Sequence, residues 1–223
     1  MTILTTLSPT NLENQKRAIN SWLSFGYAVK SFNSKSDIDK LGGIFEAEFI
    51  ETSELGSSEF KKDYVRLNAF TDYIKNNGSC IILNSDIEIN GELPIKKSDK
   101  SIVIFSRNDY DKSFETAKKF ESGFDGFYIT KEFAYYVPIS RLVIGQCHWD
   151  YFLPILAIKY GFNLYSPLHS NMYHKRHQIQ YNTERWRQTG RIFALELGLS
   201  GNVSKDSKES YTLIKSKIEY YEL

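Results

Sequence analysis

The stretch Cys80-Ile81-Ile82-Leu83, followed at once by Asn84-Ser85-Asp86, constrains this 223-residue chain more than any other. Four consecutive apolar residues, two of them β-branched, suit a strand buried on both faces. Such strands belong to the interior of α/β sheets, where ligands sit outside the carboxyl ends of the strands. Asp86, with Glu88 just beyond, places carboxylate oxygens at that end. Oxygen donors there can hold a hard divalent cation, and the cation can hold a diphosphate. Asn, Ser and Asp are also ordinary turn residues, so a plain strand-to-turn junction is the competing reading.

The flanking segments extend the α/β pattern. Ile3 to Leu7 forms a short strand, broken by Ser8-Pro9-Thr10. Asn11 is placed to cap a helix over Leu12 to Leu23, which puts Ala18, Ile19 and Trp22 on one face and closes at Gly26. Strands follow at Tyr27 to Phe32, ending in Asn33, and at Ala47 to Ile50, with a short helix from Ser36 between them. Glu51 to Lys61 is polar and Ser-rich, hence a surface loop. Asp63 to Asn76 is expected to be helical and leads into Cys80. This alternation predicts parallel βαβ units with right-handed crossovers. The second half has strands at Ser101 to Ser106, Asp125 to Thr130 and Asn163 to Tyr165. It has helices at Tyr151 to Tyr160, Tyr181 to Leu197 and Tyr211 to Tyr220, a polar segment from His169 to His177, and an exposed polar stretch from Gly198 to Ser210.

Composition narrows the function classes. A net charge of +1 gives no global field toward nucleic acid or membrane, so any such contact needs a local patch. The 15 Tyr and 15 Phe supply core volume and also stacking surfaces for a base or sugar. Cys80 and Cys147 lie in apolar contexts without metal or redox spacing and are expected to be buried thiols. Met1 to Thr6 lacks the features of a signal peptide and no run of about 18 apolar residues exists, so a cytoplasmic location without a membrane span is expected. There is no Gly-x-Ser-x-Gly elbow and no P-loop.

The order of these features resembles a small glycosyltransferase of the GT-A superfamily. The residues that carry the resemblance run from Thr2 to His177. They are the strand ending in Thr5-Thr6, the helix with Gln15 and Ser21-Trp22, the strand ending in Asn33, and the apolar strand ending in Asn84-Ser85-Asp86. Phe124-Asp125-Gly126-Phe127, Gly145 with Trp149-Asp150, and His174-Lys175-Arg176-His177 complete the series. The resemblance implies an α/β fold with a Rossmann-like, mostly parallel central sheet, flanking helices and a helical C-terminal tail. It implies a single domain over 1–223, with a nucleotide-sugar half at 1–100, an acceptor half at 101–180 and the tail at 181–223. The implied activity is metal-dependent transfer of a sugar from a nucleotide-diphosphate sugar, a UDP-sugar being expected, to the hydroxyl of a glycan or small molecule. Mn²⁺ or Mg²⁺ is the implied cofactor.

Site residues follow from the same resemblance. Asn84-Ser85-Asp86 stands where the family has Asp-x-Asp, which binds the cation and diphosphate. Asn at the first position removes one charge and leaves Asp86 as the main ligand, with His174 or His177 completing the metal site. Thr5, Thr6 and Asn33 correspond to positions that contact base and ribose, though strand-end hydrogen bonding explains them equally. Arg66 is a charge-assisted donor within reach of a phosphate, or a solvated helix residue. Trp149 and Asp150 fall at the acceptor. Asp150 would take the acceptor proton in an inverting enzyme, or else cap the following helix. Trp149 would stack on a sugar, or pack in the core. His148 and His169 are weaker candidates.

Two alternatives stay open on sequence. Asn84 keeps alive a degenerate fold that holds a nucleotide or glycan without turnover. The run from His174 to Arg191 holds Lys175, Arg176, Arg185, Arg187 and Arg191 among Tyr181 and Trp186. That combination of phosphate contacts and stacking rings would also serve a phage-type enzyme glycosylating hydroxymethylated bases in DNA.

Overall fold

The computed structural model describes residues 1–177 and 182–222. The buried strand expected at the centre is there: β4 (Cys80–Leu83) is buried at every position. It lies between β1 (Thr2–Thr5), to which it runs parallel, and β9 (Gly126–Ile129), to which it runs antiparallel. Beyond β1 come β2 (Ala28–Asn33) and β3 (Glu48–Glu51), both parallel. Beyond β9 come β6 (Ser101–Phe105), then β10 (Asn163–Pro167) and β12 (Ile218–Tyr221). The sheet is therefore mixed but mostly parallel, with β9 the strand that runs against both neighbours. At the start of β9, Gly126 leaves room for the Leu83 and Met172 side chains, which a Cβ there would displace.

Alternation divides the apolar residues between two cores. Ile3, Ile81, Leu83, Val103 and Phe105 face α1 (Leu12–Ser24). Leu4, Ile82, Ile102 and Ile104 face α4 (Leu67–Asn77), α6 (Trp149–Lys159) and α7 (Thr183–Leu197). A second, small sheet of β5 (Ile87–Ile89), β11 (Met172–Lys175), β7 (Asn108–Tyr110) and β8 (Lys118–Lys119) lies beside the carboxyl end of β4. It is anchored by α1: Trp22 Nε1 donates to Ile87 O at 2.7 Å and Ser21 Oγ accepts from Ile89 N at 2.9 Å. Trp22→Phe keeps most of the buried ring but strands the Ile87 carbonyl, so chemical denaturation is expected to show a loss of about 1–3 kcal/mol.

Several expectations are corrected. Asn11 does not cap α1 with its side chain. It sits at φ 56°, and Gln15 folds back onto Ser8 and Thr10 instead. The helix expected from Asp63 starts only at Leu67, because Val65 and Arg66 are drawn into bridges with Leu55 and Val143. The polar 51–61 segment contains α3 (Ser57–Phe60), anchored by buried Phe60. Cys147 is exposed rather than buried. The C-terminal segment is not wholly helical. α8 (Val203–Lys217) starts earlier than expected, where the buried Asp206 carboxylate accepts from Ser200 and Gly201. It ends in β12, which adds an edge strand parallel to β10. Tyr221 holds that edge through its hydroxyl to Pro94 O and its edge contact with Tyr165. No helix among the described residues is long and apolar enough to cross a membrane.

Candidate metal site and cleft

The end of β4 opens onto a cleft of about 1220 Å³. Ile87 N donates to Asn84 O at 3.3 Å, closing a turn over Ser85 and Asp86. The anchoring of β5 by Ser21 and Trp22 fixes the far side of that turn, and Asn84, Ser85 and Asp86 all line the cleft. β11 pairs with β5 in the register His174↔Ile87, which brings His174 alongside Asp86 from far along the chain.

Three donor atoms converge there. His174 Nε2 lies 3.2 Å from His177 Nε2, and each of these nitrogens lies 3.5 Å from Asp86 Oδ2. Ligand atoms about 2.1 Å from one shared ion stand about 3.0 Å apart at right angles and about 3.6 Å apart at 120°. The three observed separations fall inside that range, so the residues present fit a divalent cation. His174 Nδ1 lies 3.1 Å from Asp109 Oδ1. A carboxylate only accepts, so Nδ1 carries a proton and Nε2 is the atom turned toward Asp86 and His177.

The support behind His174 is charged, with Arg107 and Asp109 half-buried and Asp125 buried. Arg107 donates to Asp109 at 2.8 Å and to Asp125 at 2.7 Å, and Asn84 Nδ2 donates to the same Asp125 oxygen at 3.2 Å. Burial works against the Asp86 charge, but the hydrogen bonds from His174 and His177 and the Arg107 charge outweigh it and hold its carboxyl below the usual range. Burial pushes Asp125 above its ordinary value, against the pull of Arg107.

Asp150 lines the same cleft, in the first turn of α6. Its carboxyl is pushed up to about 7, first by burial and then by the Asp125 charge, with the Phe124 backbone N–H opposing at 3.4 Å. It does not cap α6. His148 holds that position at φ 78°, with its ring bonded to Thr189 at 3.0 Å and Ser207 at 2.9 Å. Burial lowers the His148 pKa to about 4, so a neutral imidazole joins α6, α7 and α8.

The other sequence-derived residues separate into two groups. Thr6 lines the cleft. Thr5 is buried and donates to Leu83 O, and Asn33 is buried and donates to Leu7 O, so both brace the strand ends beneath the cleft. Arg66 donates from Nη2 alone to both Glu59 carboxylate oxygens, at 2.9 and 3.0 Å, and does not line the cleft. Glu88 turns away from Asp86 to pair with Arg17 and the Tyr110 hydroxyl. Trp149 is 2% exposed and packs edge-on against Phe127, which leaves no face for a sugar. His169 belongs to a separate small pocket, and Tyr181 lies outside the described residues. Arg107 and Asp109 were not singled out in sequence. Their signal was an apolar strand ending in Ser106-Arg107-Asn108-Asp109, the same pattern as at Asp86.

No protein-family model matches this chain, and no curated protein sequence matches it. Among solved structures, the glycosyltransferase GlyE of Streptococcus pneumoniae TIGR4 aligns with 59% of this chain and 34% of its own, at 12% identity and a TM-score of 0.33. Its apo form aligns over the same shares at 12% identity and a TM-score of 0.32. The chain spans about a third of the length of those proteins. A likeness that partial bears on neither the site nor the reaction.

Proposed function

We propose that this chain is a metal-dependent glycosyltransferase of GT-A type. It would move a sugar from a nucleoside-diphosphate sugar, UDP-linked, to an acceptor hydroxyl. One observation carries the reading: the same large cleft is lined by three candidate ligand atoms within 4.8 Å of one another and by a carboxylate with a pKa pushed up to about 7. Asp86, His174 and His177 would hold the ion, and Asp109 would fix the His174 tautomer. Two imidazole ligands favour Mn²⁺ over Mg²⁺, which prefers all-oxygen shells. The bound ion supplies positive charge against the leaving diphosphate. Thr6, Ser8, Thr10 and Asp37 line the end of the cleft nearest β1 and α2 (Lys35–Leu41) and offer polar partners for a base and ribose. Asp150 would accept the proton from the attacking hydroxyl, which makes the reaction inverting.

A thermal-shift panel of UDP, GDP and CDP and their sugars, with and without Mn²⁺, tests the reading. UDP at about 100 times its dissociation constant should add about 2.7 kcal/mol, but only with metal present. No shift with any nucleotide would sink the proposal. Binding without hydrolysis or transfer of any sugar would place the chain among non-catalytic binding modules.

A further inference from the structure

The wall that carries Asp150 has a second chemical character. Lys61 and Lys62 line the cleft there, and among the described residues neither pairs with a carboxylate. Arg185 lines it as well, its guanidinium 4.9 Å from the centre of the Tyr64 ring and bonded to the Tyr64 hydroxyl. Arg185 sits in the first turn of α7, a helix of 15 residues whose cap, Asn182, also faces the cleft. The partial positive charge of that helix end adds to the three side chains. Two acids stand beside them: Asp63, which accepts from Ser57, and Glu184, which precedes Arg185 in the first turn of α7. Trp186, the next residue, brings this basic lip to Asp150: its ring lies 5.5 Å from that of His148, two residues before Asp150. The candidate cation ligands come from other elements, the turn before β5 and the β11 segment. A cleft of about 1220 Å³ exceeds the usual range for one small ligand, about 300–1,000 Å³, and leaves room for a second molecule beside a nucleotide sugar.

We infer that the acceptor carries a phosphate group, held by Lys61, Lys62 and Arg185 at the start of α7, with its nucleophilic hydroxyl directed to Asp150. This rests on the reading of Asp150 as the acceptor-side base. The exposed part of the Trp186 ring would cover the body of the acceptor. Arg185, already oriented over Tyr64, is the ordered donor of the three, and the two lysines add charge at the mouth.

The test separates the lip from the cation site by working first in EDTA, so that no metal-held phosphate contributes. Inorganic phosphate and glycerol 3-phosphate should bind the metal-free wild-type protein by calorimetry, and glycerol should not. The Lys61→Ala/Lys62→Ala double variant and Arg185→Ala should each weaken that binding about tenfold or more. Mn²⁺-dependent UDP binding should be unchanged in both. A short oligothymidylate that binds more tightly than glycerol 3-phosphate assigns the phosphate to a nucleic-acid backbone. The reverse order assigns it to a small phosphoester, and either order supports the inference. It is overturned if phosphate does not bind the metal-free wild type or binds the variants as well as the wild type. It is also overturned if UDP binding falls together with phosphate binding, because the lip then serves the donor diphosphate. Failure of Mn²⁺-dependent UDP binding by the wild type is a different result and counts against the proposed function instead.

Discussion

Asp150→Asn is expected to lower turnover about 10²–10⁴-fold while nucleotide binding persists, since a positioned general base contributes on that scale. The amide keeps the size of the side chain and can still accept from the Phe124 N–H, so the first turn of α6 should hold. Activity of the wild type should follow the ionisation of the same group. The base works only when deprotonated, so kcat should rise with pH and level off above about 7, where burial and the Asp125 charge have moved the Asp150 carboxyl. A pH–rate profile flat from pH 5 to 9, or an Asp150→Asn variant of full activity, would remove Asp150 from the reaction.

The same shift has a stability signature of opposite sense. The folded pKa of Asp150, about 7, lies above its ordinary 3.8. Between those values the folded chain binds more protons than the unfolded one. This group's contribution to stability therefore falls as pH rises across that window and is constant above about 7. Asparagine carries no such penalty. Asp150→Asn should match the wild type near pH 4 and melt several degrees higher at pH 8, at about 2–4 °C per kcal/mol for a chain of this size. A residue kept at a cost to stability and needed for turnover is the pattern of a functional group.

Much of the large sheet was legible, and most of the small one was not. Cys80–Leu83 could be read because four apolar residues in a row have few other places to go. The small sheet is built from strands as short as Lys118–Lys119 and Ile87–Ile89, too brief for a period of two to register. It has no apolar run comparable to the one in β4. That sheet nevertheless assembles the candidate cation ligands, because the pairing of Met172–Lys175 with Ile87–Ile89 decides that His174 meets Asp86. Residue type pointed to Asp86, His174 and His177, but their meeting is a property of topology. Thr5 and Asn33 show the converse error. Both strand ends were located, yet the side chains turn into the sheet, and one residue of register decides which way a strand-end side chain points. The terminal Ile218–Tyr221 strand was hidden because it follows α8 without a glycine or proline to mark the change.

Asp86→Asn and His174→Ala should each reduce Mn²⁺-dependent turnover about 10²–10³-fold, the scale on which loss of one electrostatic element in an active site is felt. The two should differ in what else they disturb. Asp86 sits in a turn whose backbone is fixed by Asn84, Ser21 and Trp22, so Asp86→Asn should still fold in EDTA, losing only what its contacts with His174, His177 and Arg107 contribute. His174 is buried and bonded to Asp109 at 3.1 Å, so His174→Ala also strands a carboxylate and should cost stability as well as metal. His177 is the most exposed of the three, and His177→Ala should weaken Mn²⁺ with the least effect on folding. Asp109→Asn supplies the control. It leaves all three ligands in place but permits the other His174 tautomer, so it should cost about 10–100-fold in metal affinity. Calorimetric titration of Mn²⁺ into each variant reads this directly. Wild-type affinity in all four would show that Asp86, His174 and His177 are a hydrogen-bond cluster and hold no ion.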